Sequence, residues 1–258
     1  MLHKLIFHLQ LKIYSHLLKK NFRDEQNKFL VEGEKLIYEA LNSKLECEAV
    51  IYKKDFSHEN KKTVEPLSKQ VSKFEIVSEK EFQKIQATVN SQGIIGVFRK
   101  KLTKATPVSI KGSLIAALDG INDPGNVGTI IRNADWFGVK EILLSTNCAD
   151  IYNPKTIRAS AGSIFHLTLI IDDNLIHSLN SLKQKGYRIL CADITGNNIY
   201  QYKKSEKEII VFSNEANGPT DGLLNITDEK LSVPKKGKAE SLNVASASAV
   251  ILSELIKN

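Results

Sequence analysis

Five apolar runs in the second half of this chain leave little choice of architecture. SLIAALDGI (113–121), EILLST (141–146), LTLIID (167–172), RILCADI (188–194) and EIIVFSNEA (208–216) are nearly continuous rather than alternating. A strand with one face in water alternates apolar and polar residues, so an unbroken run marks burial on both faces. Helical patterns lie between them: VGTIIRNADWFG (127–138), PKTIRASAGSIF (154–165), NLIHSLNSLKQKG (174–186) and a closing helix from about Asn243. Strand and helix in alternation predict a parallel sheet covered on both faces. In such sheets ligands bind beyond the strand C-termini, so the functional residues are expected in the loops there.

The first half reads differently. FLVEGEKLIYEALNS (29–43) carries Leu30, Ile37 and Leu41 among charges, as a surface helix would, and the first twenty residues form a basic amphipathic helix. CEAVIYKK (47–54), KFEIVS (73–78) and GIIGVFRK (93–100) read as strands, with helical stretches around 59–70 and 79–87. Together they predict a small α/β domain over residues 1–100. RKKLTKATP (99–107) interrupts the pattern with charge and a proline, which places a linker at 101–107 and a second domain at 108–258.

Charge divides along the same line. Residues 1–106 hold 20 Lys and Arg against 13 Asp and Glu, whereas residues 107–258 hold 16 of each. The whole positive excess lies in the first half, which suits a polyanionic partner for that half. The chain has only five arginines, Arg23, Arg99, Arg132, Arg158 and Arg188, in a lysine-rich background. The three cysteines, Cys47, Cys148 and Cys191, match neither a disulfide framework nor a metal-binding spacing, which suits a reducing, cytoplasmic setting. No apolar run approaches the ~18 residues of a membrane span, so no membrane association is expected.

Three strand-end loops stand out: LDGINDPGNVGTIIRNAD (118–135), VFSNEANGPT (211–220) and VPKKGKAESLNVASASAV (233–250). None is GxGxxG or a P-loop. Each mixes glycine or small residues with Asn, Glu, Ser or Arg, so backbone can approach a ligand while a few side chains orient it. Arg132 lies on a helix that opens just after a strand, where it either holds an anion or joins a surface ion pair. Asn126 is a candidate helix cap, as are Ser241 and Asn243 before the small run Ala245 to Ala249. Glu215 closes the strand EIIVF and is weak evidence alone.

In their order these three loops resemble the three motifs of the SpoU/TrmH family of S-adenosylmethionine-dependent RNA 2′-O-ribose methyltransferases. YNPKTIRASAGSIFHL and LTLIID also look like that family, and IYSHLLKKNFRDEQNKFLVEGEKLIYEAL resembles its RNA-binding N-terminal domain. The resemblance implies an α/β fold of the SPOUT type, a C-terminal parallel sheet with a trefoil knot, preceded by a small α/β L30e-like domain. It implies a homodimer acting on RNA, ribosomal RNA ahead of transfer RNA, with S-adenosylmethionine as cofactor and no metal. Carried over by position, Asn126, Arg132, Glu215, Ser241 and Asn243 are the catalytic candidates. Arg132 would activate the ribose hydroxyl directly or by gripping an adjacent phosphate. Ala192, Asp193, Asn214, Ala216, Val233, Leu242 and Asn243 would hold the cofactor, largely through backbone.

Three positions depart from the family pattern. Ser213 and Ala216 stand where glycine is usual, so strain and weak cofactor binding are expected if positive φ is needed there. Asn133 stands where threonine is usual, a change expected to be mild. Two rival readings follow: a catalytically inactive RNA-binding protein of the same fold, and a tRNA 2′-O-methyltransferase. An α/β enzyme for a small phosphorylated substrate fits the basic first half less well.

Overall fold

The computed structural model describes residues 2–59, 67, 69–71, 73–101, 106, 109–214 and 218–257. The helix expected around 59–70 and the linker expected at 101–107 lie largely outside these residues. The chain divides into two compact units, one of residues 1–102 with 152–165 and one of 103–151 with 166–258.

The first unit contains α1 (Leu2–His16), α2 (Lys20–Gln26), β1 (Lys28–Glu32), α3 (Glu34–Asn42), β2 (Cys47–Lys53), α4 (Lys54–Glu59), β3 (Phe74–Val77), α5 (Glu79–Phe82) and β4 (Ile94–Arg99). Its sheet runs β1-β4-β2-β3, antiparallel at the first two pairings and parallel at the last. The single helix expected over 29–43 is overturned. Phe29, Leu30 and Val31 are buried in β1, and Gly33 at φ 102° breaks the backbone before α3 begins. A positive φ that glycine tolerates ended the helical periodicity, so the sheet has one strand more than the sequence pattern indicated. The helix expected at 79–87 is a single turn, with Glu81 accepting from the Ser78 amide at 2.9 Å. The core gathers Tyr14, Leu17, Leu30, Ile51, Phe82 and Val97.

Residues 152–165 belong to this unit and include α7 (Pro154–Ser160). Their Tyr152 and Phe165 rings lie 4.6 and 6.4 Å from that of Phe29.

The second unit holds β5 (Leu114–Asp119), α6 (Pro124–Trp136), β6 (Glu141–Ser145), β7 (Thr168–Asp172), α8 (Leu175–Lys183), β8 (Arg188–Asn198), β9 (Glu208–Ser213), α9 (Asp221–Ile226), β10 (Glu229–Ser232) and α10 (Val244–Leu255). Every strand pairing is parallel, in the order β10-β8-β9-β5-β6-β7. The five apolar runs are five of these strands, and β9 is buried at every residue. β10 escaped sequence reading because EKLS is short, polar and at an edge. It is nonetheless closely held: a Cβ on Gly196 would lie 2.5 Å from the Lys230 carbonyl carbon, so β8 and β10 approach because residue 196 has no side chain. Among the described residues no helix is long and apolar enough to cross a membrane.

Candidate active site

Strand order locates the site before any side chain is considered. The chain enters the second sheet at β5 and moves outward through β6 to β7. It then returns to the other side of β5, where β9 becomes its neighbour. The direction of winding reverses between β5 and β9, and a crevice opens at such a point beyond the strand C-termini. β5 ends at Asp119, directly opposite Ser213 at the end of β9. The loops that follow are the first two motif loops.

Asparagine side chains tie these loops together. Asn214 donates from Nδ2 to the Gly120 carbonyl at 2.9 Å, joining the second loop to the first. Asn243 donates from Nδ2 to Asn126 Oδ1 at 3.1 Å, joining the third to the first. Gly120 and Gly218 turn the backbone with φ 66° and 64°, a region that favours glycine. The Gly120 amide donates to Ser145 Oγ at 3.0 Å, which anchors the first loop to β6.

Asn126 is not the helix cap. Asp123 caps α6 by accepting from the Asn126 amide at 2.9 Å, with Pro124 in the first turn. The helix therefore starts three residues before the expected position, and the Asn126 side chain is available to Asn243. Asn243 is the cap of α10 and accepts from the amides of Ala245 and Ser246. One residue thus serves both as helix cap and as link between motifs, so the structural and functional readings of SLNV are compatible.

The small run packs closely. Ala245 and Ser248 are buried, and Asn133 of α6 donates from Nδ2 to the Ala245 carbonyl and to Ser248 Oγ, both at 2.9 Å. The departure at Asn133 brings two interhelical hydrogen bonds that the sequence pattern did not indicate. Asn126 and Asn133 are seven residues apart and face α10 together. Arg132 is exposed and makes no ion pair or hydrogen bond among the described residues.

On the β8 side, Asp193 Oδ1 accepts from the Thr195 amide and hydroxyl, both at 2.7 Å, and Lys230 donates to that hydroxyl at 2.6 Å. Burial raises the Asp193 carboxyl, but the Thr195 bonds and the Lys230 charge outweigh it and hold it below the usual carboxylate range. Burial, aided by the Asp193 charge, pushes the neighbouring Cys191 thiol up to about 12, so it is an uncharged part of the wall. Ser213 is 7% exposed. Its hydroxyl has the weakly bonding Cys191 thiol beside it and lacks a full hydrogen bond among the described residues. The strain expected at Ser213 is absent, because it lies in β9 without positive φ. Glu215 and Ala216 lie outside the described residues. Ala192 and Val233 are half-buried, Leu242 is 48% exposed, and Ser241 is exposed.

An ionised carboxylate, an unsatisfied buried hydroxyl and closely tied backbone loops fit a ligand bearing a cation and several hydrogen-bonding groups. They suit a nucleoside carrying a sulfonium. Among the described residues no cluster of His, Cys, Asp and Glu could hold a metal ion.

Fold and site define a class of α/β enzyme with its ligand crevice inside a parallel sheet, and comparison with known proteins narrows it. Residues 113–253 match the SpoU rRNA Methylase family, and residues 9–96 match the MRM3-like substrate binding domain. The chain belongs to the SpoU rRNA methylase family. It is 32% identical over 250 residues to the 23S rRNA (guanosine(2553)-2′-O)-methyltransferase RlmP of Bacillus subtilis, covering 95% of each chain. It superposes on the AdoMet-bound rRNA methyltransferase from Sinorhizobium meliloti with a TM-score of 0.77 at 27% identity, covering 95% of this chain and 93% of that one. The SpoU methyltransferase AviRb from Streptomyces viridochromogenes shares the fold, with a TM-score of 0.85 at 22% identity over 96% of each chain.

Proposed function

We propose that this chain is an S-adenosylmethionine-dependent methyltransferase that modifies a ribose 2′-hydroxyl in ribosomal RNA. The observation that carries the reading is the convergence of three loops at one switch point, tied by Asn214 to Gly120 and by Asn243 to Asn126, with Arg132 uncommitted on the same helix as Asn126. A relative of nearly equal length named for 2′-O-methylation of 23S rRNA supports the reaction and the substrate class. Residues 1–100 would then bind RNA and residues 108–258 transfer the methyl group, across a linker at 101–107. The setting is cytoplasmic, and the free cysteines suit it.

When bound, S-adenosylmethionine supplies an electrophilic methyl group on a positive sulfur. Ala192, Asp193, Asn214, Ala216, Val233 and Leu242 would surround it, with backbone amides and carbonyls contributing most of the contacts. A ribose hydroxyl is a poor nucleophile at neutral pH, so placing it in line and favouring its deprotonated form carry the rate. A guanidinium stays protonated in proteins. Arg132 therefore acts as a fixed positive charge that grips the phosphate beside the target ribose and stabilises negative charge developing on the 2′-oxygen. Asn126 and Asn243 fix the first turn of the helix from which Arg132 projects, and Ser241 and Glu215 orient the nucleotide.

The active form is a homodimer. Trp136 closes the helix that carries Arg132 and is 83% exposed, an apolar surface that a second copy would cover. The test is transfer of labelled methyl to unmodified ribosomal RNA and, separately, to tRNA. Label in alkali-resistant dinucleotides from ribosomal RNA, lost in Arg132→Ala, is the expected result. Label confined to tRNA would move the substrate, and no transfer to either with no cofactor binding would reject the enzyme.

A further inference from the structure

The sequence motif NPKTIRASAGS has no part in the site described above. Its arginine stands out when the five guanidinium groups are compared. Arg23 is 1% exposed and donates from Nη1 to the Leu17 and Leu18 carbonyls at 2.9 and 3.0 Å. Arg99 pairs with Glu46 at 2.8 Å and Arg188 with Glu229 at 2.7 Å. Arg132 belongs to the proposed active site. Arg158 makes no hydrogen bond or ion pair among the described residues, and its Nη1 is buried. A buried N–H on a charged group without an acceptor is costly, and folded proteins seldom keep one without a reason.

The support around Arg158 is rigid. Asn153 caps α7 by accepting from the Lys155 amide at 2.9 Å, and Pro154 sets its first turn. Thr156, Ile157 and Ser160 are buried, and Tyr152 and Phe165 bracket the segment against the Phe29 ring. After Ala161, Gly162 turns at φ 101° with Glu39 Cγ 2.9 Å from where a Cβ would stand, so no other residue fits there without displacing that side chain. Exposed Lys155 lies one turn before Arg158 on the same helix face. An arginine so held, with unused donors and a second cation alongside, suits a planar anion with two acceptor oxygens.

We propose that Arg158 is a phosphate anchor for the RNA substrate, its guanidinium forming a two-pronged hydrogen bond with the non-bridging oxygens of one phosphodiester. The proposal rests on the reading of the chain as an RNA enzyme. Arg158 is only half-buried, so its guanidinium is in part open to a phosphate, and the net positive charge of residues 1–106, most of which share its unit, favours an anion.

The test measures binding of an unmodified ribosomal RNA transcript at several salt concentrations, by fluorescence anisotropy, for the intact protein, Arg158→Ala and Arg158→Lys, with thermal melting of each. Arg158→Ala should bind about tenfold more weakly and show a salt slope smaller by about one. Arg158→Lys should keep the slope but lose most of the affinity, because a lysine cannot form the fork. Should the alanine variant fail to fold, the lysine variant alone carries the test, and affinity equal to that of the intact protein would overturn the proposal. Unchanged affinity and slope in a folded alanine variant would also overturn it. So would a lowered melting temperature with unchanged slope, which would mark Arg158 as a residue of structural importance only. If the intact protein binds no RNA, the RNA reading fails together with the anchor, a result distinct from selective failure of the Arg158 variants.

Discussion

The first unit and the motif loops of the second hold their polar groups in different ways. In the first, charged side chains are spent internally. Glu48 accepts from the Tyr14 hydroxyl at 2.9 Å and pairs with Lys28 at 2.6 Å, Lys100 pairs with Asp24, and the Arg23 guanidinium is buried against helix-end carbonyls. In the second, the loops that matter most are joined by neutral amides, those of Asn126, Asn133, Asn214 and Asn243. A framework of charges responds to pH and salt, whereas one of amides does not titrate at all. The unit matched to substrate binding thus holds buried charge that responds to ionisation, while the asparagine ties of the proposed crevice do not titrate.

The sharpest way to break this contrast is Arg23→Ala. It leaves two buried carbonyls unsatisfied and a cavity behind, so a loss of about 3 kcal/mol is expected by chemical denaturation. Near-normal stability would mean that the first unit does not depend on its buried charge. Asn243→Ala should cost about 1–2 kcal/mol, as the loss of a helix cap does, and methyl transfer should fall further than folding accounts for. Asn133→Ala removes two hydrogen bonds and should cost about 1–2 kcal/mol. An effect near zero would mean that the two bonds add nothing to stability.

The smallest effect is one of pH. Burial raises the Glu48 carboxyl, but the Lys28 and Tyr14 hydrogen bonds outweigh it and hold it below the usual carboxylate range. A depressed folded-state value means that this stabilisation is present at neutral pH and is lost as pH falls below the ordinary carboxylate value of about 4. Glu48→Gln should therefore flatten the acid limb of the melting curve, whereas Asn126→Asp should add a titrating group to loop ties that have none. Parallel acid limbs for the intact protein and Glu48→Gln would remove Glu48 from the account.

These expectations also show where sequence was a sufficient guide. The strands of the second sheet were legible because burial on both faces demands unbroken apolar runs, and Ile115, Ile142 and Ile209 are fully buried as those runs require. The three loops were legible because they follow those strands. β1 was not, since Leu30, Ile37 and Leu41 keep helical spacing across Gly33, and only its φ of 102° reveals the break. β10 was not, because an edge strand needs no apolar pattern. Asp123 took the capping role open to Asn126 since two capping residues three apart compete and sequence does not say which one wins. The bonds of Asn133 go to residues 112 and 115 positions away, and no local pattern records such partners.

The asparagine ties carry a kinetic consequence. Where Asn214 and Asn243 tie them, the loops around the crevice are already joined by hydrogen bonds within the chain itself, so a ligand does not have to form those joints when it arrives. Capture of a small ligand then has no slow rearrangement to await, and its observed rate should rise in proportion to ligand concentration without reaching a plateau.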